Sequence, residues 1–239
     1  MPDTPDFEKS WLGKLSAALD RLVGEDLRRE VLRGSGDHST STRSDEIVRW
    51  SAEAIDRIDD LLDPATAREV MLSCACHYPV EALRDVRSRY EKTGSVDEAL
   101  DMLRDTFTAF LRDGLGVCED TIGELLSRGW GLAGVRSGNT IIATKIPKSS
   151  NLIEYMSEPD PERRRHLYCH CPRVRDAVAA HVSISPTYCY CGAGFYTDMW
   201  EEILQQPVEV EVLRSIFKGD DICSFILRLP ADADSADGS

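Results

Sequence analysis

Between Phe7 and Leu126 apolar residues recur every three or four positions, the period of a helix with one buried face. Leu12, Leu15, Leu19, Leu22 and Val23 make the first such stripe, which Gly24 or Gly34 can end. After a polar run from Gly34 to Arg43, Ser44 reads as an N-cap. The stripe behind it, Ile47, Val48, Ala54, Ile55, Ile58, Leu61 and Leu62, stops at Asp63-Pro64. Another helix is expected from Pro64 into the first cysteine pair, and others at about Val80 to Tyr90, Val96 to Leu111 and Cys118 to Leu126. Thr93-Gly94-Ser95 is the turn between the first two of these, with Ser95 and Glu98 as a capping box.

The period shortens after Gly129-Trp130-Gly131. Strands are expected at about Leu132 to Arg136 and Thr140 to Ile146, joined by the hairpin signal Ser137-Gly138-Asn139. A loop at Pro147 to Asn151 and a polar region with Pro159 and Pro161 follow. His166 to Cys171 reads as a short strand or loop, with a helix opening at Pro172. Phe195 to Leu204 is helical in pattern, Val208 to Phe217 extended, Lys218 to Asp221 a turn, and Ile222 to Leu229 a last strand. The expected class is α+β: a helical region over 1–128, an antiparallel-sheet α+β domain of ligand-binding type over 129–230, and a disordered acidic tail over 231–239.

The chain has 239 residues, 42% of them hydrophobic, enough to bury a full core as one large domain or two small ones. A net charge of -14 would repel phosphate backbones and anionic lipid, so neither nucleic acid nor membrane is expected as a partner. The polar start Met1 to Asp6 and the lack of a window of ~18 apolar residues point to a cytoplasmic protein. The charge is uneven: Arg136 to Arg175 carries eight Lys or Arg against four acids. A locally positive site suits a small anionic substrate. A homo-oligomer stays open.

Six of the eight cysteines come as Cys-x-Cys pairs: Cys74/Cys76, Cys169/Cys171 and Cys189/Cys191. On an extended strand such residues share a face and could converge on one metal or substrate. Four readings stand: zinc thiolates, disulfides, a reactive thiol beside His77 or His170, and plain burial. Reducing conditions argue against the disulfides. The catalytic candidates are Cys169, Cys171, Cys189, Cys191, His170 and His77. Arg136, Arg173, Lys145 and Tyr190 are the substrate-binding candidates, and Cys74, Cys76, Cys169, Cys171, Cys191 and Cys223 the metal candidates. Zinc is thus a candidate cofactor. Gly129 to Gly134 lacks the spacing of a phosphate loop, and no nucleotide cofactor is evident.

Cys191-Gly-Ala-Gly-Phe-Tyr, then Pro207-Val-Glu-Val-Glu211 and Gly219-Asp-Asp-Ile-Cys-Ser-Phe-Ile226, resembles the endings of two families. One is the 4-vinyl reductase type of small-molecule-binding domain. The other is the family of L-2-amino-thiazoline-4-carboxylic acid hydrolases. The resemblance covers about the last 50 residues. It implies an antiparallel sheet with a pocket, and zinc held near Cys191 and Cys223 with Glu211. Ser215 stands where the first family often has a further cysteine. The implied function is a hydrolase opening a C–N or C–S bond of a carboxylate-bearing, thiazoline-like substrate. The alternative is a ligand-sensing module with a structural zinc, and an iron-sulfur protein is a third option.

Overall fold

The computed structural model describes residues 6–36 and 38–234; Met1 to Pro5, Asp37 and the last five residues of the expected tail lie outside the described residues. Seven helices come first: α1 (Phe7–Val23), α2 (Glu25–Val31), α3 (Ser44–Leu61), α4 (Pro64–Leu72), α5 (Val80–Thr93), α6 (Val96–Ala109) and α7 (Glu119–Ser127). The caps explain several boundaries. Asp63 accepts hydrogen bonds from the Ala65 and Thr66 amides ahead of Pro64, and Ser95 accepts one from Glu98. Ser44 is the first residue of α3 rather than its cap; its hydroxyl bonds Asp176 instead. α6 runs into a π-helical turn, Phe110–Gly114.

The sheet is fully antiparallel, in the order β1-β2-β4-β3, from β1 (Val135–Ser137), β2 (Thr140–Thr144), β3 (Glu209–Arg214) and β4 (Ser224–Arg228). The chain is therefore α+β, with the hairpin turn where the sequence placed it. All four strands are shorter than expected. Inward positions pair across the sheet, Ala143 with Phe225 and Val212 with Phe225, while Ile142, Ile226 and Glu211 share the outer face. Between the hairpins the polar region holds two helices the proline spacing hid, α8 (Leu152–Ser157) and α9 (Pro161–Tyr168), the second capped by Asp160. His166 lies on α9, and the helix expected at Pro172 begins later, as α10 (Arg175–Ala179).

The last helix, α11 (Tyr190–Leu204), starts earlier than its apolar pattern suggested and lies along the inner face of the sheet. It shares one core with α5, α6 and the strands, through Leu83, Leu103, Trp200, Val210 and Phe225. The change of texture at residue 129 is thus not a break in the packing. A second core joins α1, α3 and α4 to Val174, Ala177 and Tyr188. A third gathers Phe107, Leu111, Trp130, Tyr155 and Tyr168. The residues just past the sheet are ordered, contrary to expectation for 231–234: Tyr90 donates to the Ala233 carbonyl, and Asp234 accepts from the Val96 amide and binds Arg136. Among the described residues no helix is long and apolar enough to cross a membrane.

α11 crosses the end of α4 at Gly194, where a Cβ would stand 2.5 Å from the Leu72 carbonyl oxygen and 2.8 Å from the Ala75 side chain. Backbone cannot retreat cheaply there. Gly194→Ala is expected to lower unfolding stability by about 1–3 kcal/mol, read from urea melts, as overpacking generally does.

Candidate functional site

A cavity of about 570 Å3 lies where the three cores meet. α6 and the π-helical turn contribute Phe107 and Phe110, α11 contributes Cys191, Gly192, Phe195 and Tyr196, and β4 contributes Phe225. The segment leaving β2 supplies Lys145, Ile146, Lys148 and Ser149; the link from α9 to α10 supplies Cys169, His170, Cys171 and Pro172. One part of the wall is therefore aromatic. Another carries six thiols, from Cys76, Cys169, Cys171, Cys189, Cys191 and Cys223.

None of the Cys-x-Cys pairs lies on a strand, which corrects the geometric premise of the sequence reading. Cys74 sits in the turn closing α4, fully buried, its thiol donating to the Val70 carbonyl at 3.3 Å, and only Cys76 reaches the cavity. Cys169 caps the end of α9 and Cys171 follows outside any helix or strand. Cys189 ends the 3-10 turn Pro186–Cys189 and Cys191 is already inside α11. Helical geometry separates that last pair. The Cys191 thiol donates to the Cys74 carbonyl at 3.3 Å and accepts from Trp11 Nε1 at 3.5 Å, whereas the neighbours of Cys189 include Ser215 and Cys223. Gly192 and Gly194 are helical too, and Gly192 leaves room for Lys145 Nζ, 3.6 Å from where its Cβ would be.

All eight thiols are free, and burial keeps Cys169, Cys189, Cys191 and Cys223 of the wall protonated. It pushes Cys189 and Cys191 up to about 12 and Cys223 up to about 11, with mutual repulsion between thiolates adding to the effect. Cys169 is raised well above the ordinary thiol range for the same reasons. A negative charge on Cys171 would raise Cys76, Cys169, Cys189, Cys191 and Cys223 further. The Cys171 Sγ lies 3.3 Å from the Tyr188 hydroxyl. Burial, then Lys145, lowers His170 to about 4, so its imidazole is neutral at pH 7. Its Nδ1 lies 3.3 Å from the Ile146 carbonyl oxygen. Lys145 Nζ sits 5.1 Å from the centre of the Phe195 ring. Tyr168 fixes this wall by donating to the Lys145 carbonyl at 2.5 Å while accepting from the Cys223 amide at 2.9 Å.

Several sequence candidates lie elsewhere. Arg173 is buried on the far side of its segment, its Nε donating to Glu8 at 2.6 Å and its Nη1 to Ser51 at 3.0 Å, with the guanidinium 3.9 Å from the Trp11 ring centre. Arg136 is held at the sheet edge by Asp97 and Asp234. Tyr190 turns away from the cavity, under Arg68. His77 pairs with Asp198 at 2.5 Å in a separate surface depression with Glu201 and Glu202. Glu211 is on the outer face, paired with Arg228. Among the described residues no group of three or more His, Cys, Asp or Glu side chains is disposed to hold a metal ion, so the donors do not fit the zinc site the resemblance implied. Sequence reasoning missed the aromatic lining, because Phe107, Phe195, Tyr196 and Phe225 carry the same apolar pattern as core residues.

A family of unknown function, DUF6144, matches residues 162–232. This is under a third of the chain; it contains five of the six wall cysteines and leaves Lys145 and the α6 wall outside. No curated protein and no solved structure matches the chain.

Two outcomes follow for the thiols. Cys118 is exposed, and its hydrogen bond with Thr121 Oγ1 at 3.2 Å lowers its pKa, so brief iodoacetamide treatment should label it ahead of the buried wall thiols, as peptide mass spectrometry would show. Cys189, Cys191 and Cys223 titrate higher folded than unfolded, so the unfolded chain loses their protons first as pH rises. Urea midpoints should be flat below pH 9 and fall from there towards about 12, and Cys189→Ala should make the fall shallower.

Proposed function

We propose that the cavity binds a small molecule with an apolar body and an anionic, carboxylate-type head, the aromatic part of the wall taking the body and Lys145 the head. The charge of the wall carries this reading. In a chain of net charge -14, the residues lining the cavity include two lysines and one histidine but no Asp or Glu. Among the described residues neither Lys145 nor Lys148 is ion-paired. An ammonium group in a partly desolvated, acid-free wall attracts a carboxylate more strongly than a surface lysine does. The volume is in the range of ordinary small-molecule sites.

A second reading, hydrolysis of a C–N or C–S bond in a thiazoline-like carboxylate, is favoured by one observation. His170, neutral at pH 7, lines the same cavity as Cys169 and Cys171. A thiol held in the protonated form, as Cys169 is, needs such a base before it, or a water beside it, can attack. Incubation with 2-amino-thiazoline-4-carboxylate, followed by mass spectrometry, separates the two readings: ring opening lost in His170→Ala supports hydrolysis, and unchanged substrate with measurable binding supports the first.

The test of the binding reading is calorimetry with decanoate and its neutral amide at pH 7. Decanoate should bind at least about tenfold more tightly than the amide, and Lys145→Met should cost about the same factor, roughly 1.4 kcal/mol. Equal affinity for acid and amide would overturn it.

A further inference from the structure

We infer that Cys171 and Cys191 form a dithiol site for a monosubstituted trivalent arsenical, R–As(OH)2, whose organic group occupies the aromatic end of the cavity. The two thiols stand 20 residues apart in sequence, and each contacts one ring of the same stacked aromatic pair. Tyr188 contacts Cys171 through its hydroxyl at 3.3 Å, and Trp11 contacts Cys191 through Nε1 at 3.5 Å. The Trp11 and Tyr188 rings are themselves stacked, with centroids 5.8 Å apart and planes 21° from parallel. Both residues line the cavity, whose remaining wall presents Phe107, Phe195 and Phe225.

The ligand class follows from what such a site can bond. A metal ion needs three or four donors, and no such group exists among the described residues. Two thiols beside an apolar space suit a soft centre that takes two sulfurs and brings its own organic substituent. The condensation balances: two As–S bonds form, two As–OH bonds break, and each thiol proton leaves with a hydroxyl as water. Arsenic stays trivalent, so no oxidant or reductant is needed. The protonated state that burial imposes on Cys191 is the state this reaction consumes.

The inference rests on the cavity being a binding site, though not on the charge of its other ligands. The experiment uses full-length protein carrying Cys118→Ser, which removes the exposed remote thiol, with phenylarsine oxide as the probe. One equivalent should add one phenylarsenic group, protect Cys171 and Cys191 together from iodoacetamide, and be reversed by 2,3-dimercaptopropanol. Cys171→Ser or Cys191→Ser should each weaken binding by about a hundredfold or more, since one attachment is lost, while Cys189→Ser leaves it nearly unchanged. Protection of a different pair, or none, overturns the assignment. Decanoate binding is measured on every variant: retained, it shows the cavity is folded and confines a failure to the dithiol site; if the parent protein binds neither probe, the binding reading falls as well.

Discussion

The thiol wall depends on the ion pair between Arg173 and Glu8. A guanidinium taken out of water costs several kcal/mol unless it is paired and hydrogen-bonded, so this side chain cannot remain buried with its partners absent. Those partners come from far away in sequence: Glu8 on α1, Ser51 on α3, and the faces of Trp11 and Trp50. Once they are in place, the backbone around Arg173 is fixed, and Cys171, Pro172 and Val174 on either side face the cavity. Trp11 also bonds Cys191. Docking of α1, ordering of the link between α9 and α10, and placement of two wall thiols are therefore one event. Lysine could not replace Arg173 here, because only a planar group can stack on Trp11 while holding Glu8 and Ser51.

The same pairing logic dissolves the basic stretch of the sequence. Arg163 is taken by Glu154 and Glu158, Arg136 by Asp97 and Asp234, and Arg173 by Glu8. Arg164 lies over Tyr155, and Arg165 donates to the Ile216 carbonyl. The positive sign of the cavity comes from Lys145 and Lys148 alone among the lining residues, with His170 held neutral between them. A count of charges along the chain could find the region but not which charges remain uncompensated.

What was legible in the sequence was whatever is decided locally. Asp63-Pro64 and Ser95 with Glu98 mark helix starts through backbone bonds within three residues, and Ser137-Gly138-Asn139 marks a hairpin by turn geometry alone. The Val and Glu alternation of β3 matches its burial, with Val210 and Val212 inside and Glu209 and Glu211 outside. The site was legible only as a set of cysteines. Their conformations were not, because Cys-x-Cys has no intrinsic preference for a strand: packing put Cys191 into α11, where Gly194 permits contact with α4. The charged run Glu162 to Arg165 has too little apolar periodicity to announce α9, which is held by its cap and by the burial of Leu167 and Tyr168.

The neutral thiols and the free lysine at this site sustain each other. An ionised thiol beside Lys145 would pair with it and cancel the attraction for an external anion. Lys145 already favours ionisation of Cys223, yet burial outweighs it and holds that thiol at about 11. The repulsion that Cys171 exerts on its neighbours works in the same direction, since a second thiolate in the cluster costs more than the first. Burying Cys169, Cys189, Cys191 and Cys223 around one void thus makes a wall that is polarisable but uncharged at those thiols, beside which Lys145 and Lys148 face a ligand without an internal anion. Spread over the surface, the same cysteines would titrate near their ordinary value and protect nothing.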